Sequence, residues 1–344
     1  MHHMRSSGST RRAFLGTAAS VATTGFLLQN ASSSPWAGSP ADDSAGIPLV
    51  DTHQHLWDLS NQTLPWLKGS PDVLNRTYWL AEYAAATQGL NVVQAVYMEV
   101  DIHPDQQRQE AETLIGICRK GGSPTIAAVI SGRPASEDFS EYIRSFRTSP
   151  EIKGVRQVLH SEATPKNYCL QPQFRKSMEL LGELGLSYDL CMRPEDLGDG
   201  LILARSTPGT RFIVDHCGNG DPESFLSDKV RKSPPKHEPE KWRADISALA
   251  DCDNVICKIS GIIASAPKGV PFVESLAPLI NHCLKEFGPD RVVFGGDWPV
   301  CLLGATYREW VTTLRAIVAD RPIADQKKLF HENARRFYGF PAPG

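Results

Sequence analysis

Short, almost continuously apolar runs alternate with longer segments from residue 47 onward. Such runs, when rich in β-branched residues, are typical of parallel strands that are covered on both faces. Eight of them are predicted as strands, at residues 47–53, 92–100, 124–131, 152–159, 186–192, 211–217, 254–260 and 291–298. In the longer segments apolar residues recur every three or four positions, which predicts helices. The clearest of these cover residues 105–121, 171–185, 238–252, 273–288, 306–319 and 323–339.

Eight strand–helix units in about 290 residues are typical of a (β/α)8 barrel, also called a TIM barrel. An open, doubly wound sheet is the alternative, but it is disfavoured because no glycine-rich phosphate loop follows the first strand. No internal repeat and no linker divides the chain after residue 45. Residues 46–344 are therefore predicted to form a single α/β barrel domain.

The first 45 residues differ in character from the rest and are predicted to be a signal peptide and a disordered spacer. Arg11 and Arg12 precede a moderately apolar stretch at 13–28 that is short and rich in Gly, Ala and Thr. This favours a cleaved leader over a permanent membrane span. The segment STRRAFL resembles a twin-arginine export signal, which implies a periplasmic or extracellular protein with no membrane association after cleavage. The alternative is a tail that contains Arg-Arg by chance.

The composition is that of a globular protein with a large core. The chain has 344 residues, of which 41% are hydrophobic and 22% charged. The net charge of -3, without a long run of one sign, argues against nucleic acid or an anionic membrane as partner and favours a small molecule. The eight cysteines are scattered and are interpreted as mainly free, buried thiols.

Titratable side chains concentrate at the carboxyl ends of the predicted strands, where TIM barrels carry their active sites. His53 and His55 end the first strand, and residues at i and i+2 of a strand face the same way. The other strands place further polar groups at the same end: Glu99, Arg156, His160, Asp189, Arg193, Asp215, His216, Lys258, Ser260 and Asp297. This concentration predicts an active site there.

Several of these groups also have a structural interpretation. The two histidines could form a hydrogen-bonded structural pair, and Glu99 could be a salt-bridge partner at the barrel mouth. Arg156 and Lys258 could each pair with a buried carboxylate. Three further residues are interpreted as structural, surface or packing residues: Asp189, Arg193 and His160.

Two features of the barrel mouth bear on substrate binding. Trp57, Trp66 and Trp298 either line the substrate pocket or plug the barrel, and aromatic residues near a mouth often do both. The segment 218–242 is long, charged and rich in proline, and it follows the sixth strand. It is either a lid over the site or a solvated insertion.

Five motifs, each on its own predicted strand, together resemble one known family. They are VDTHQHLWD, KGVR, VDHCG, VICKISG and RVVFGGDWPVC. In this order they resemble the amidohydrolase-related family of the amidohydrolase superfamily, and more closely its branch of sugar-acid lactonases and 2-pyrone-4,6-dicarboxylate lactonase. The resemblance runs from about residue 47 to residue 340. It implies a distorted TIM barrel that hydrolyses a carbonyl ester or a related bond.

The resemblance also bears on metal binding. In the wider superfamily, metals are held by the H-x-H pair, a carboxylated Lys or a Glu on strand four, histidines on strands five and six, and an Asp on strand eight. Here strand four offers Arg156 and strand five has no histidine, which argues against a two-metal centre. His53, His55 and Asp297 remain, with Glu99 as a possible fourth ligand. This set suits one Zn²⁺ with an open water position, although the lactonase branch includes metal-independent members.

Lactone hydrolysis needs a general base, a polarised carbonyl and a proton for the departing ring oxygen. We assign the base to Asp297 and the hydrogen bond to the carbonyl oxygen to His216. Arg156 and Lys258 would hold hydroxyl or carboxylate groups of the substrate, with Arg156 the better carboxylate clamp. The competing functions are a metal-dependent, non-oxidative decarboxylase of the same superfamily and a non-catalytic sugar-acid binding protein.

Overall fold

The computed structural model describes residues 46–340. Eight strands form one sheet in which each strand pairs in parallel with the next along the chain. They are β1 (Leu49–Gln54), β2 (Val92–Met98), β3 (Thr125–Ser131), β4 (Ile152–Val158), β5 (Ser187–Cys191), β6 (Arg211–Val214), β7 (Val255–Ile259) and β8 (Val292–Phe294). Each coincides with a predicted strand to within a few residues, and the predicted TIM barrel is confirmed. The predicted leader lies outside the described residues, so export stays a prediction.

Helices connect the strands and cover the outside of the barrel. Within residues 46–340 the α-helices are α1 (Leu80–Thr87), α2 (Gln107–Lys120), α3 (Phe139–Arg144), α4 (Pro172–Glu183), α5 (Leu197–Ser206), α6 (His216–Asn219), α7 (Pro239–Ala250), α8 (Phe272–Glu286), α9 (Tyr307–Val318), α10 (Ile323–Lys327) and α11 (Asn333–Tyr338). Of these, α6 is a four-residue turn with positive φ throughout, and it lies at the mouth of the barrel rather than on its outside. The apolar pattern does not predict α3, because its six residues are too few for a helical period to emerge. It also misses α5, which contains two glycines. In this part of the chain, no helix combines the length and apolar character needed to cross a membrane.

Two apolar layers build the core. The larger one lies between the outer faces of the strands and the helices, where side chains such as Tyr188 and Phe212 are fully buried. The smaller one fills the inside of the barrel and includes Val50, Ile213 and Ile256 from the strands, together with residues of α11. Because successive inward positions are two residues apart, the layer above Ile213 and Ile256 is formed by Asp215 and Lys258. The inside of the barrel therefore changes from apolar to charged toward the carboxyl ends.

Asp51, on β1, ties the first strand to the last. Its Oδ1 accepts hydrogen bonds from the backbone N–H groups of His53 (3.0 Å) and Gly296 (2.7 Å). Its Oδ2 accepts from the hydroxyls of Tyr83 (2.8 Å) and Tyr307 (3.0 Å). Burial raises the pKa of Asp51, while these four donors act in the opposite direction. The buried carboxyl thus has a full set of partners, which hold β1, α1, α9 and the end of β8 together.

Backbone hydrogen bonds complete the closure at the carboxyl ends of the strands. The N–H of Asp297 donates to the carbonyl of His53, and the N–H of His55 donates to the carbonyl of Trp298, both at 2.8 Å. Gly296 permits this approach, because a Cβ atom there would lie 2.3 Å from the ring of Tyr307. The closure places the H-x-H pair of β1 beside the aspartate that follows β8.

The eight cysteines agree with the prediction of free thiols. None of them is in a disulfide, and seven of the eight are buried. All eight lie within residues 46–340, so this statement covers every cysteine of the chain. The barrel therefore depends on packing and buried polar contacts rather than on covalent cross-links.

We expect Tyr83→Phe and Tyr307→Phe each to lower the free energy of unfolding by about 1–3 kcal/mol, because each leaves Oδ2 of Asp51 with one donor fewer in a site closed to water. Urea denaturation followed by circular dichroism measures this. Tyr168→Phe is the control, since the Tyr168 side chain is only partly buried and its ring packs on Phe174. Unchanged stability in both variants would show that Asp51 does not tie the barrel together.

Candidate active site

A cavity of about 410 Å³ opens at the carboxyl ends of the strands. Large apolar side chains form much of its wall: Trp57, Trp66, Val100, Val158, Ile262 and Val300. Polar side chains line the remainder: His55, Asp101, Arg156, His160, Ser161, His216, Asn219, Ser265 and Asp297. A mainly apolar cavity with a few convergent polar groups is the usual form of a small-molecule site.

His55 and Asp297 face each other with two electron-rich atoms. Nδ1 of His55 lies 3.0 Å from the carbonyl oxygen of Met98, which can only accept, so Nδ1 carries the proton. Nε2 then presents a lone pair, 3.2 Å from Oδ1 of Asp297. An imidazole lone pair and a carboxylate oxygen at this distance repel unless a proton or a metal ion lies between them. This pair therefore points to a bound cation or a shared proton.

His53, His55 and Asp297 fit one divalent metal ion. Nε2 of His53 lies 3.6 Å from the same Oδ1 of Asp297, and tetrahedral Zn²⁺ ligands at about 2.1 Å from the metal are about 3.4 Å apart. The contact of His55 with the Met98 carbonyl is the usual outer contact of a metal-binding histidine. Two imidazoles and one carboxylate are also the donor set of many catalytic zinc sites.

His53 is fully buried between two cationic side chains. Nη1 of Arg156 lies 3.2 Å from its Nε2, and Nζ of Lys258 lies 3.3 Å from its Nδ1. Both neighbours can only donate hydrogen bonds, which disfavours protonation of both ring nitrogens, and a neutral imidazole accepts from one of the two at a time. Burial, followed by the charge of Lys258, lowers the pKa of His53 well below its usual range.

Lys258 lies beneath the cavity, not in its wall, which differs from the predicted role in substrate binding. It is completely buried, with its Nζ 2.6 Å from Oδ2 of Asp189 and 2.9 Å from Oδ1 of Asp215. Burial alone would lower the pKa of Lys258, but the two carboxylates outweigh it and raise the pKa. Burial would likewise raise the pKa of Asp215, yet Lys258 and His53 hold it well below its usual range. The side chain sits one layer below Ser260, which is two residues further along the chain.

Arg156 lines the cavity, but its positive charge is largely neutralised by Glu99. Its Nε donates to Oε1 of Glu99 and its Nη2 to the Glu99 carbonyl oxygen, both at 2.7 Å. Its Nη1 lies 3.7 Å from Oδ2 of Asp215. The second carboxylate oxygen of Glu99 accepts from the N–H of Asp101. Glu99 is therefore not placed as the predicted fourth metal ligand, because both of its oxygens already have partners away from His55 and Asp297.

His216 is presented to the cavity by an unusual backbone. It follows β6 in a left-handed conformation, with φ of 52°, and such conformations in non-glycine residues concentrate at functional sites. Its Nδ1 lies 2.9 Å from the hydroxyl of Ser260. Gly261 has no side chain here because a Cβ atom would lie 2.2 Å from that nitrogen. Burial lowers the pKa of His216, which favours the neutral imidazole.

Of the three tryptophans predicted to line the pocket or plug the barrel, Trp66 lines the cavity and the other two lie in different places. Trp57 lines the cavity, and its indole N–H donates to the carbonyl of Arg76 at 2.6 Å. Trp298 is 1% exposed and packs edge-on against Tyr78 and Tyr83, away from the cavity wall. Its ring therefore supports the closure of the barrel. From this position it does not reach the substrate cavity, as one of the two predicted roles would require.

The sequence interpretation did not name two polar residues that line the cavity, Asp101 and Asn219, and it took a third, His160, for a surface or packing residue. Asp101 has φ of 47° and forms a 3.1 Å ion pair with Arg133. Burial, followed by the charge of Glu99, raises the pKa of Asp101. Asp101 follows Glu99 by two positions, as His55 follows His53. This spacing could have identified Asp101 from the sequence as a residue facing the barrel mouth.

The segment 218–242 contributes to the cavity through its first residues. Asn219 and Gly220 line the cavity, and the amide of Asn219 donates to the carbonyl of Met192 at 2.7 Å. Further along, the ring of Phe225 packs on Trp242. The segment therefore begins as part of the wall and continues as a surface connection to α7.

Comparison with known proteins extends this picture. The family model described as Amidohydrolase matches residues 50–340. An L-fucono-1,5-lactonase of Burkholderia multivorans is 26% identical over 305 residues, which cover 87% of this chain and 98% of the relative. An L-rhamnono-gamma-lactonase of Scheffersomyces stipitis is 24% identical over 341 residues, which cover 84% of this chain and 98% of the relative.

Solved structures share the fold. A crystal structure of an amidohydrolase from Burkholderia multivorans with bound zinc matches with a TM-score of 0.75 and 23% identity, over 86% of this chain and 100% of that chain. This likeness shows the same barrel architecture. The family match extends from β1 to just beyond α11. The chain therefore belongs to the amidohydrolase family.

Proposed function

We propose that this protein is a hydrolase that opens the ester bond of a sugar lactone. The observation that carries the proposal is the convergence of Asp297 and His216 on one cavity, each on a residue with φ of 52°. A carboxylate and a neutral imidazole are the two groups that water attack on a carbonyl requires. The names of the L-fucono-1,5-lactonase and L-rhamnono-gamma-lactonase relatives support the same reaction class.

In the proposed mechanism, Asp297 accepts a proton from a water molecule in the cavity as that water attacks the lactone carbonyl. His216 donates a hydrogen bond from Nε2 to the carbonyl oxygen as the oxygen gains negative charge. This requires the Ser260 hydroxyl to donate to Nδ1 of His216, which their 2.9 Å separation allows. One donor of this kind contributes on the order of 10² in rate. Asp297 then returns its proton to the departing ring oxygen.

We further propose that His53, His55 and Asp297 hold one divalent ion, with Zn²⁺ best suited to their donor set. When bound, such an ion polarises the carbonyl and lowers the pKa of a coordinated water to about 7. The zinc reported for a barrel relative supports this assignment. A proton shared between His55 and Asp297 is the metal-free alternative.

The charges around the cavity favour an uncharged substrate. Arg156 already pairs with Glu99 and lies near Asp215, so little of its charge is available to a ligand. Asp297 adds negative charge to the lining, whereas the charge of Asp101 is offset by its ion pair with Arg133. A neutral lactone with several hydroxyl groups therefore fits better than a dicarboxylate, which the sequence alone leaves open. The apolar wall can cover the C–H face of a sugar ring.

Replacement of Asp297 tests the general-base role. Asp297→Asn keeps the shape of the side chain but removes its basicity, and we expect kcat for lactone opening to fall by about 10²–10⁴. Proton release in a pH-indicator assay measures the rate. Asp101→Asn is the matched control, because it removes another carboxylate of the cavity wall and is expected to lose far less. Near-normal turnover in a folded Asp297→Asn variant would exclude this role.

A substrate panel tests the charge argument. Neutral five- and six-membered sugar lactones should be opened with a kcat/KM at least about 10-fold above that for 2-pyrone-4,6-dicarboxylate, since Arg156 already pairs with Glu99 and offers little charge to two carboxylates. The same indicator assay, corrected for spontaneous hydrolysis, gives both values. Preference for the dicarboxylate would contradict the charge argument. Carbon dioxide release from an aromatic acid, without lactone opening, would favour the decarboxylase.

Metal analysis tests the assigned ligands. Protein loaded with Zn²⁺ and then desalted should retain one equivalent, and His55→Asn should lose it because one of three protein ligands is gone. His160→Asn is the matched control, since His160 lines the same cavity outside this ligand set. Full activity of metal-free protein after chelation would favour the metal-free alternative, in which His55 and Asp297 share a proton. Equal zinc content in His55→Asn and wild type would contradict the assignment.

A further inference from the structure

A second set of possible metal ligands adjoins the first and shares one residue with it. It consists of His53, Asp215 and His216, all buried, with their ligand atoms within 4.8 Å of one another. By residue type it matches the first set, since each contains two imidazoles and one carboxylate. Ligand chemistry alone therefore does not distinguish the two sets.

The two sets differ in what lies between their electron-rich atoms. In the first, the lone pair of His55 faces Asp297 directly at 3.2 Å, and the cation Arg156 approaches only the third residue, with its Nη1 3.2 Å from Nε2 of His53. In the second, the ammonium of Lys258 lies 2.9 Å from Oδ1 of Asp215 and 3.3 Å from Nδ1 of His53. The ammonium is anchored from its other side by Asp189, at 2.6 Å. In the second set, a positive charge thus already contacts two of the three ligand residues, Asp215 and His53.

A metal ion in the second set would meet this charge at close range. An ion about 2.1 Å from both Asp215 Oδ1 and His53 Nδ1 would come within about 4 Å of the Lys258 nitrogen. The guanidinium of Arg156 does not distinguish the two sets, because its Nη1 lies 3.7 Å from Oδ2 of Asp215 and 3.2 Å from Nε2 of His53. The ammonium of Lys258 cannot withdraw to solvent, because Lys258 is fully buried. Repulsion between charges in such a buried site is only weakly screened by water or salt.

We propose that Lys258 is a built-in cation that takes the place of a metal ion in the His53–Asp215–His216 set. Its ammonium neutralises the buried carboxylates and confines exchangeable metal to the His53–His55–Asp297 set. Lys258 does not line the cavity, so it is a positioning residue that acts through His53. The proposal goes beyond lactone hydrolysis, because it concerns which cations the barrel accepts, whatever the substrate.

The test counts metal in variants that lack the carboxylate of the first set. Asp297→Asn is compared with Asp297→Asn/Lys258→Ala, in which the ammonium is removed and space is left for an ion. Both are stripped with chelator, incubated with Co²⁺ and desalted, and cobalt is measured by mass spectrometry and by its visible absorption bands. We expect no retained cobalt in the single variant and one equivalent in the double variant. Asp297→Asn/Lys153→Ala, with a partly exposed lysine of β4 removed, should gain none.

Two results would overturn the proposal. One is a folded double variant that gains no cobalt. The other is an equivalent of cobalt retained by Asp297→Asn itself and lost on adding His216→Asn, since this would place metal beside Lys258. If Lys258→Ala does not fold in the Asp297→Asn background, adding Asp189→Asn balances the change in buried charge. Cobalt is then measured in this triple variant in the same way. One retained equivalent supports the proposal, and no retained cobalt in a folded triple variant overturns it.

Discussion

The burial of several full charges inside the barrel is the constraint on which the rest of the site depends. The charged groups in the cavity wall and beneath it are Arg156, Lys258, Glu99, Asp189 and Asp215, each at most 4% exposed. An unpaired ion in such a place costs several kcal/mol, so each must be matched by an opposite charge. Burial raises the pKa of Asp189 to about 7, and the neighbouring charge of Lys258 opposes this rise. The pairing fixes the side chains that surround His53 and hence the position of that imidazole.

Closure of the barrel and construction of the site both depend on β1. Asp51 points outward to Tyr83 and Tyr307, while His53 lies among the charged groups inside. The register of β1 against β2 is irregular between Asp51 and Gln54. Such irregularities in strands are common next to active sites, where they redirect side chains. A change in the closure contacts would therefore also displace His53 and His55.

The sequence predicts the barrel well, because apolar runs and helical periods report local structure directly. It also identifies residues that do line the cavity, among them His55, His216 and Asp297. It does not separate these from Lys258 and Trp298, since alternation along a strand reports which way a side chain faces but not how deep it lies. Depth depends on how neighbouring strands are staggered, which is a property of the closed barrel. The ion pairs that occupy Lys258 and Glu99 join residues far apart in the chain, and no local pattern encodes them.

Chemistry is concentrated where this pairing is incomplete. Inside the barrel, Lys258 and Arg156 neutralise the buried carboxylates. These ion pairs hold neighbouring strands together and orient His53. At the cavity, His55 and Asp297 face each other with two hydrogen-bond acceptors, and the backbone of Asp297 is in the left-handed region. Two facing acceptors without a donor between them do not stabilise the fold. Local arrangements of this kind are typical of functional sites. A proton or a metal ion can enter at this one pair, and the adjoining cavity admits the substrate.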